Sequence, residues 1–287
     1  MPAPRSDSDR HRTIQPIDAT VERLMPDPAP GDPTVVVCGS IHLDTLVSVP
    51  GFPNPGGSAI VEDREDALGG KGANQASAVA HAGVRAVMAG TVGEDAAADF
   101  VMAELAAHGV DVHSVQTTWD HPTGSAFVAT AGGDQHIVFV SRGANVATEP
   151  TDFTDAIAEA DVLLAQGELR PDATESLGML ANLHGTRFIL NLAPVTVVTP
   201  TLIDTADPLI VNETEAADVL GMPRDALLDE LLDAFAAAVE RGLAVSAAVT
   251  RGARGRVTEP REGPSPAWNH ARTSALARSW SSGSMTG

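Results

Sequence analysis

Tyrosine is absent from the 287-residue chain, cysteine occurs once, at Cys38, and lysine once, at Lys71. A single cysteine can form neither an internal disulfide nor a cysteine-based metal cluster, which excludes zinc-ribbon and dithiol redox readings and fits a reducing compartment. No apolar run approaches the roughly 18 residues that a membrane span needs, and the N-terminal stretch has no apolar core of the kind a signal peptide carries. A cytoplasmic location is expected. Cations are scarce as well: 18 Lys+Arg against 38 Asp+Glu leave a net charge of -20. Such a surface repels phosphate backbones and anionic lipid, so neither a nucleic-acid nor a membrane partner is expected.

What is present reads as one α/β domain between two tails. Residues 1–33 are rich in proline and charge and lack apolar periodicity, which predicts a disordered extension. From Thr34 onward, short β-branched or apolar runs recur: Val35 to Cys38, Ala86 to Ala89, Val162 to Ala165, Phe188 to Leu190, Leu209 to Val211 and Val245 to Val249. Runs of this kind suit strands buried on both faces of a parallel sheet. Helical spacing lies between them, in Ala97, Val101 and Leu105, and again in Leu227, Leu228, Leu231, Leu232 and Phe235. Strand alternating with helix predicts a doubly wound, mainly parallel α/β fold. Two stretches break the rhythm. Residues 45–68 hold an alternating strand at Leu46 to Val49 and a second around Ala59 to Val61; residues 123–142 form a hairpin about Gly132-Gly133-Asp134. Together they predict a small β-sheet lid on the α/β body.

Two segments carry candidate chemistry. In Gly39-Ser40-Ile41-His42-Leu43-Asp44 a carboxylate follows a buried strand, where open α/β sheets bind ligands and where Asp44 could accept hydrogen bonds from a polyol. The bland reading is a solvated loop aspartate. In Gly69-Gly70-Lys71-Gly72-Ala73-Asn74-Gln75-Ala76, glutamate at position 65 and glycine after the lysine exclude a P-loop. What remains is a flexible backbone, the chain's one lysine and an amide at the start of a helix that ends near Gly83. The bland reading is a glycine-rich turn with Asn74 as N-cap.

These two segments, in this order, resemble the ribokinase-like (PfkB-type) carbohydrate kinases. Thr91-Val92-Gly93-Glu94-Asp95, Gln166-Gly167-Glu168, Asn191-Leu192-Ala193-Pro194, Asn212-Glu213-Thr214-Glu215 and Thr250-Arg251-Gly252-Ala253-Arg254-Gly255 agree in order and spacing, so the resemblance covers residues 34–255. It implies ATP-dependent phosphorylation of a sugar's primary hydroxyl, D-ribose first, with ATP, Mg2+ and a monovalent cation such as K+ as cofactors. It assigns Asp44, Gly70, Lys71, Asn74 and Glu168 to the sugar, and Asn212, Thr250, Gly252 and Gly255 to the nucleotide. Glu215 is assigned to magnesium held through water, and the lid to a homodimer contact. A carboxylate acceptor, a cationic donor and a bifunctional amide are a sound set for a polyol. The bland reading of Asn212 and Glu215 is a helix cap with early acidic residues. His42 stands where ribokinases usually have asparagine.

One part of the family pattern has no counterpart. The segment Asp-Thr-x-Gly-Ala-Gly-Asp, which supplies the anion hole and the catalytic base, does not occur, and no aspartate follows Gly255. No catalytic residue is therefore assigned. Beyond Gly255 the text changes: prolines and serines replace apolar periodicity, and Arg256, Arg261, Arg272 and Arg278 face only Glu259 and Glu262. Residues 256–287 are read as an aberrant, disordered tail left by truncation or a frameshift. Because phosphoryl transfer depends on charge stabilisation and a positioned base, impaired catalysis is expected. The other readings are a non-catalytic sugar-binding or regulatory protein, or a decayed product.

Overall fold

The first strand, β1 (Thr34–Cys38), enters at the centre of a large sheet because Val35, Val36, Val37 and Cys38 are all buried. The computed structural model describes residues 33–132 and 135–250 and the backbone of Arg256–Pro260. The chain continues through β2 (His42–Val49), β3 (Asp63–Gly69), α1 (Lys71–His81), β4 (Arg85–Gly93), α2 (Ala96–Ala107), β5 (Val115–Thr118), β6 (Gly124–Ala131) and β7 (Gln135–Ser141). Two 3-10 turns, Gly143–Ala147 and Pro150–Phe153, lead to α3 (Thr154–Glu159), β8 (Val162–Gln166), α4 (Pro171–His184) and β9 (Arg187–Asn191). The remaining elements are α5 (Pro200–Asp204), β10 (Ala206–Asn212), α6 (Glu213–Leu220), α7 (Leu228–Glu240), β11 (Ser246–Thr250) and β12 (Arg256–Pro260).

The main sheet has the order β12-β11-β10-β9-β8-β1-β4-β5, parallel from β11 to β5, with β12 antiparallel at one edge. Alternate side chains of β1 feed two cores. Val36 and Cys38 join Leu163, Leu177, Phe188, Leu202 and Phe235 beneath α3 to α7. Val35 and Val37 join Ala73, Val79, Val101, Leu105 and Leu164 beneath α1 and α2. Helices on both faces make the fold doubly wound, as the alternating pattern predicts.

The lid is a separate sheet of order β3-β2-β6-β7, with β2 antiparallel to β3, parallel to β6, and β6 antiparallel to β7. Two expectations about it are corrected. Ala59 to Val61 form no strand and Ile60 is 86% exposed; the partner of β2 is the polar segment Asp63–Gly69. An edge strand can carry its charges into solvent, so an apolar signal does not mark it. Second, β2 begins at His42 rather than Leu46, which puts Asp44 on a strand and not in a loop. The unstructured tail expected from Arg256 is corrected for five residues, Arg256–Pro260, whose backbone pairs with β11 and covers what would otherwise be an open sheet edge. Residues 1–32, the Gly133-Asp134 pair, 251–255 and 261–287, including the rest of both expected tails, lie outside the described residues.

Core packing makes a direct expectation. Phe188→Ala removes a ring that is 2% exposed and should cost about 3–5 kcal/mol in urea unfolding. Leu183→Ala, at a side chain that is 74% exposed, should change stability by no more than about 0.5 kcal/mol.

Candidate functional site

Strand order reverses at β1: the chain runs outward to β4 and β5 on one side and through β8 to β11 on the other. Adjacent strands whose connections leave to opposite faces open a crevice at their carboxyl ends. Ser40, just beyond β1, and Glu168, just beyond β8, stand at that crevice.

Helix α1 starts there without a local cap. Its N-cap is Gly70, at φ 89°, with no capping side chain and no acidic residue in the first turn. A Cβ at Gly70 would lie 2.7 Å from the Ser40 carbonyl oxygen, so both the backbone angle and the close approach require glycine. The helix's free N–H groups find partners from across the fold. The Lys71 N–H donates to Glu168 Oε2 at 3.1 Å, the Gly72 N–H to Ser40 Oγ at 3.4 Å and the Ala73 N–H to the Ser40 carbonyl at 3.0 Å. The Ser40 hydroxyl in turn donates to Glu168 Oε2, and Lys71 Nζ pairs with Glu168 Oε1 at 3.1 Å. Burial pushes the Glu168 carboxyl up, but the Ser40 hydroxyl and the Lys71 charge and N–H outweigh it and hold the group below its ordinary value.

Asp44 is the counterpoint. Burial raises its carboxyl; His42 works against that and Glu168 adds to it. Its Oδ1 is buried and takes no hydrogen bond. Gly69 leaves the space for this carboxylate, since a Cβ there would lie 2.1 Å from it. His42, 4% exposed, has its imidazole pushed down by burial, partly offset by Glu168 and Asp44, with Lys71 pushing the same way as burial. The crevice thus holds a satisfied carboxylate, an unsatisfied one, an ammonium and an imidazole within electrostatic reach of one another.

Of the residues singled out in the sequence, Asp44, Gly70, Lys71 and Glu168 come together. Asn74 follows in the first turn of α1 and is exposed, with no side-chain hydrogen bond among the described residues; the cap that one reading gave it belongs to Gly70. Asn212 and Thr250 are register partners at the carboxyl ends of β10 and β11. Gly252 and Gly255 lie outside the described residues. Asn212 and Glu215 form a capping box at the start of α6: Glu215 N–H donates to Asn212 Oδ1 at 2.8 Å and Asn212 N–H to Glu215 Oε2 at 2.7 Å. The cap leaves Glu215 Oε1 unengaged among the described residues. Burial raises the Glu215 carboxyl, against the Asn212 N–H and Lys71. One free carboxylate oxygen fits a magnesium ion that keeps most of its waters. No three His, Cys, Asp or Glu side chains among the described residues form a metal cluster.

Sequence reasoning quoted but did not single out Ser40 and Gln166. Gln166, fully buried, donates Nε2–H to Gln75 Oε1 at 2.6 Å and ties the end of β8 to α1. Their neutral side chains carry no charge signal; only their place beside glycines hinted at them.

The model of the pfkB family of carbohydrate kinases matches residues 32–260. The chain belongs to that family. As a pfkB-family protein it is 33% identical to a ribokinase of Staphylococcus aureus over 192 residues, which are 66% of this chain and 63% of that one. It is 31% identical to a Haemophilus influenzae ribokinase over 227 residues, 77% of this chain and 73% of that one. The chain therefore spans less than two thirds of the first relative's length. Among solved structures, Arabidopsis thaliana ribokinase complexed with ribose and ATP superposes with a TM-score of 0.72 at 26% identity, over 83% of this chain and 77% of that one. A Cryptococcus neoformans ribokinase in complex with ADP gives 0.65 at 26% identity, over 83% and 80%. No helix among the described residues is long and apolar enough to cross a membrane.

The depressed Glu168 carboxyl sets a pH test. Its stabilisation is fully present above the unfolded value of 4.5 and is lost as pH falls through the lower folded value. The melting-temperature gap between the parent and Glu168→Gln should be constant above pH 4.5 and narrow below it.

Proposed function

We propose that this pfkB-family chain binds a pentose, D-ribose first, in the crevice between Asp44 and the start of α1, with ATP at the carboxyl ends of β10 and β11. The observation that carries the reading is the buried, unpartnered Oδ1 of Asp44, within electrostatic reach of His42 and of the Glu168 that pairs with Lys71. An unpaired buried acceptor is costly, and a sugar hydroxyl supplies the missing donor. Gly70 admits the backbone, Lys71 donates from its ammonium, and Asn74, exposed one turn on, offers an amide to a hydroxyl. Glu168 serves the sugar chiefly by holding Lys71. Asn212, Thr250, Gly252 and Gly255 take the nucleotide, and Glu215 holds magnesium through water. Magnesium would supply charge neutralisation on the phosphates; K+ is the expected monovalent ion. The Arabidopsis ribokinase, complexed with ribose and ATP in its structure, supports this choice of ligands.

The family reaction is transfer of the terminal phosphoryl group of ATP to the sugar's primary hydroxyl. In this chain it is impaired, because no Asp-Thr-x-Gly-Ala-Gly-Asp segment supplies the anion hole and base. Loss of an oxyanion donor alone typically costs about 100- to 1,000-fold in rate. The same missing segment favours a second reading, a sugar-binding protein without catalysis.

Calorimetry with D-ribose should show binding by the parent and at least about tenfold weaker binding by Asp44→Ala. Equal affinity in both removes Asp44 from the site. A coupled ADP-release assay with ribose, ATP and magnesium should give at most trace turnover; robust turnover would mean that another residue supplies the base.

The lid is proposed to contact a second copy. Phe127 and Phe139 are cross-strand partners on β6 and β7, 42% and 65% exposed, and Val140 is 56% exposed. Light scattering should report a dimer, and Phe139→Asp should yield monomer.

A further inference from the structure

Several chain crossings join the lid to the body, and three of them meet at one side chain. They are Gly39 to Ile41 entering β2, Thr123 to Gly124 entering β6, and Ser141 to Gly143 leaving β7. Asn145, 1% exposed in the turn after β7, bonds to the first and third and packs on the second. Its Oδ1 accepts the Ile41 N–H at 2.8 Å, and its Nδ2 donates to the Ile41 carbonyl at 2.9 Å and to the Arg142 carbonyl at 2.8 Å. Gly124 completes the fit, since a Cβ there would lie 2.2 Å from Asn145 Nδ2 and 2.6 Å from the His42 ring.

This arrangement is specific to a carboxamide. Ile41 is fully buried, so water cannot satisfy its backbone N–H and C=O, and it lies between β1 and β2 at the point where the chain changes sheets. One amide group meets both, as a neighbouring strand would. A carboxylate of the same size could accept from the N–H but would face two carbonyls with no proton to give. Ile41 immediately precedes His42, and Asp44 follows on the same strand.

We propose that Asn145 is a positioning residue: it fixes the angle at which the lid leaves the body and thereby places His42 and Asp44 over Lys71. The proposal rests on the sugar site described above. It requires that disturbing Asn145 harm the sugar side of the crevice and spare the nucleotide side, which a merely structural residue would not do.

The test uses full-length Asn145→Asp, with Asn145→Ser, which keeps a small donor and acceptor, as the second variant should the first fail to fold. Two readouts are taken: calorimetric affinities for D-ribose and for ATP with magnesium, and amide hydrogen exchange. The expected result is ribose affinity weakened by about tenfold or more, ATP affinity within about twofold, and faster exchange over Ile41 to Thr45 with Leu209 to Val211 unchanged. Unchanged ribose affinity and exchange in a folded variant would overturn the proposal, as would equal weakening of both ligands with exchange raised throughout. If the parent itself binds no ribose, the proposed function fails and exchange alone decides for Asn145: acceleration confined to the lid crossings supports it, and uniform acceleration overturns it.

Discussion

The carboxylate of Glu168 does three things at once, and the crevice is organised around them. It accepts an N–H at the start of α1, pairs with the Lys71 ammonium and takes the Ser40 hydroxyl. A helix N-terminus exposes N–H groups that must find acceptors, normally from a residue just before the helix. Here that place is held by Gly70, because the Ser40 backbone leaves no room for a side chain. The cap is instead delivered from the neighbouring strands β1 and β8. Helix, lysine and both strand ends are locked together where the strand order reverses.

That lock explains why two carboxyl groups in one crevice behave oppositely. Glu168 has its acceptors filled and is held low, whereas Asp44 is pushed up by burial and keeps an unpaired oxygen. The difference lies in partners, not in burial alone: both groups are partly removed from water, and only one is offered donors by the protein. In a chain of net charge -20, a second anion near Glu168 is an unfavourable tenant. The neutral, hydroxyl-rich ligand proposed for the crevice adds no further charge to it.

The lid adds the constraint of distance. Its four strands form their own sheet, so Asp44 reaches α1 only if the lid leaves the body at the right angle. The buried amide of Asn145 and the glycines at 69 and 124, each without room for a Cβ, are where that angle is set. These positions carry little chemistry of their own and work by geometry.

Much of this was legible in the amino-acid sequence. Buried β-branched runs alternating with helical spacing are enough to specify a doubly wound body, because both faces of its parallel strands must be apolar. The glycine-lysine-glycine segment reads as a flexible backbone open to a close ligand approach, and the fold uses that freedom to bring α1 against Ser40. The change of composition after Gly255 does not mark the edge of the main sheet, since Arg256–Pro260 pair with β11. The polar edge strand Asp63–Gly69 escaped, since solvent-facing charges leave no apolar period. The backbone pairing of Arg256–Pro260 escaped as well, because an edge is filled by what the neighbouring strand needs and not by what the segment's composition shows. The family resemblance points to Glu168 as a candidate site residue, but the sequence does not show it as the cap of a helix 97 residues before it. Nor could Asn145 be matched to Ile41, 104 residues away. Periodicity reports what a residue buries within its own element. Which donor meets which acceptor depends on where strand ends from distant parts of the chain arrive, and only the assembled fold decides that.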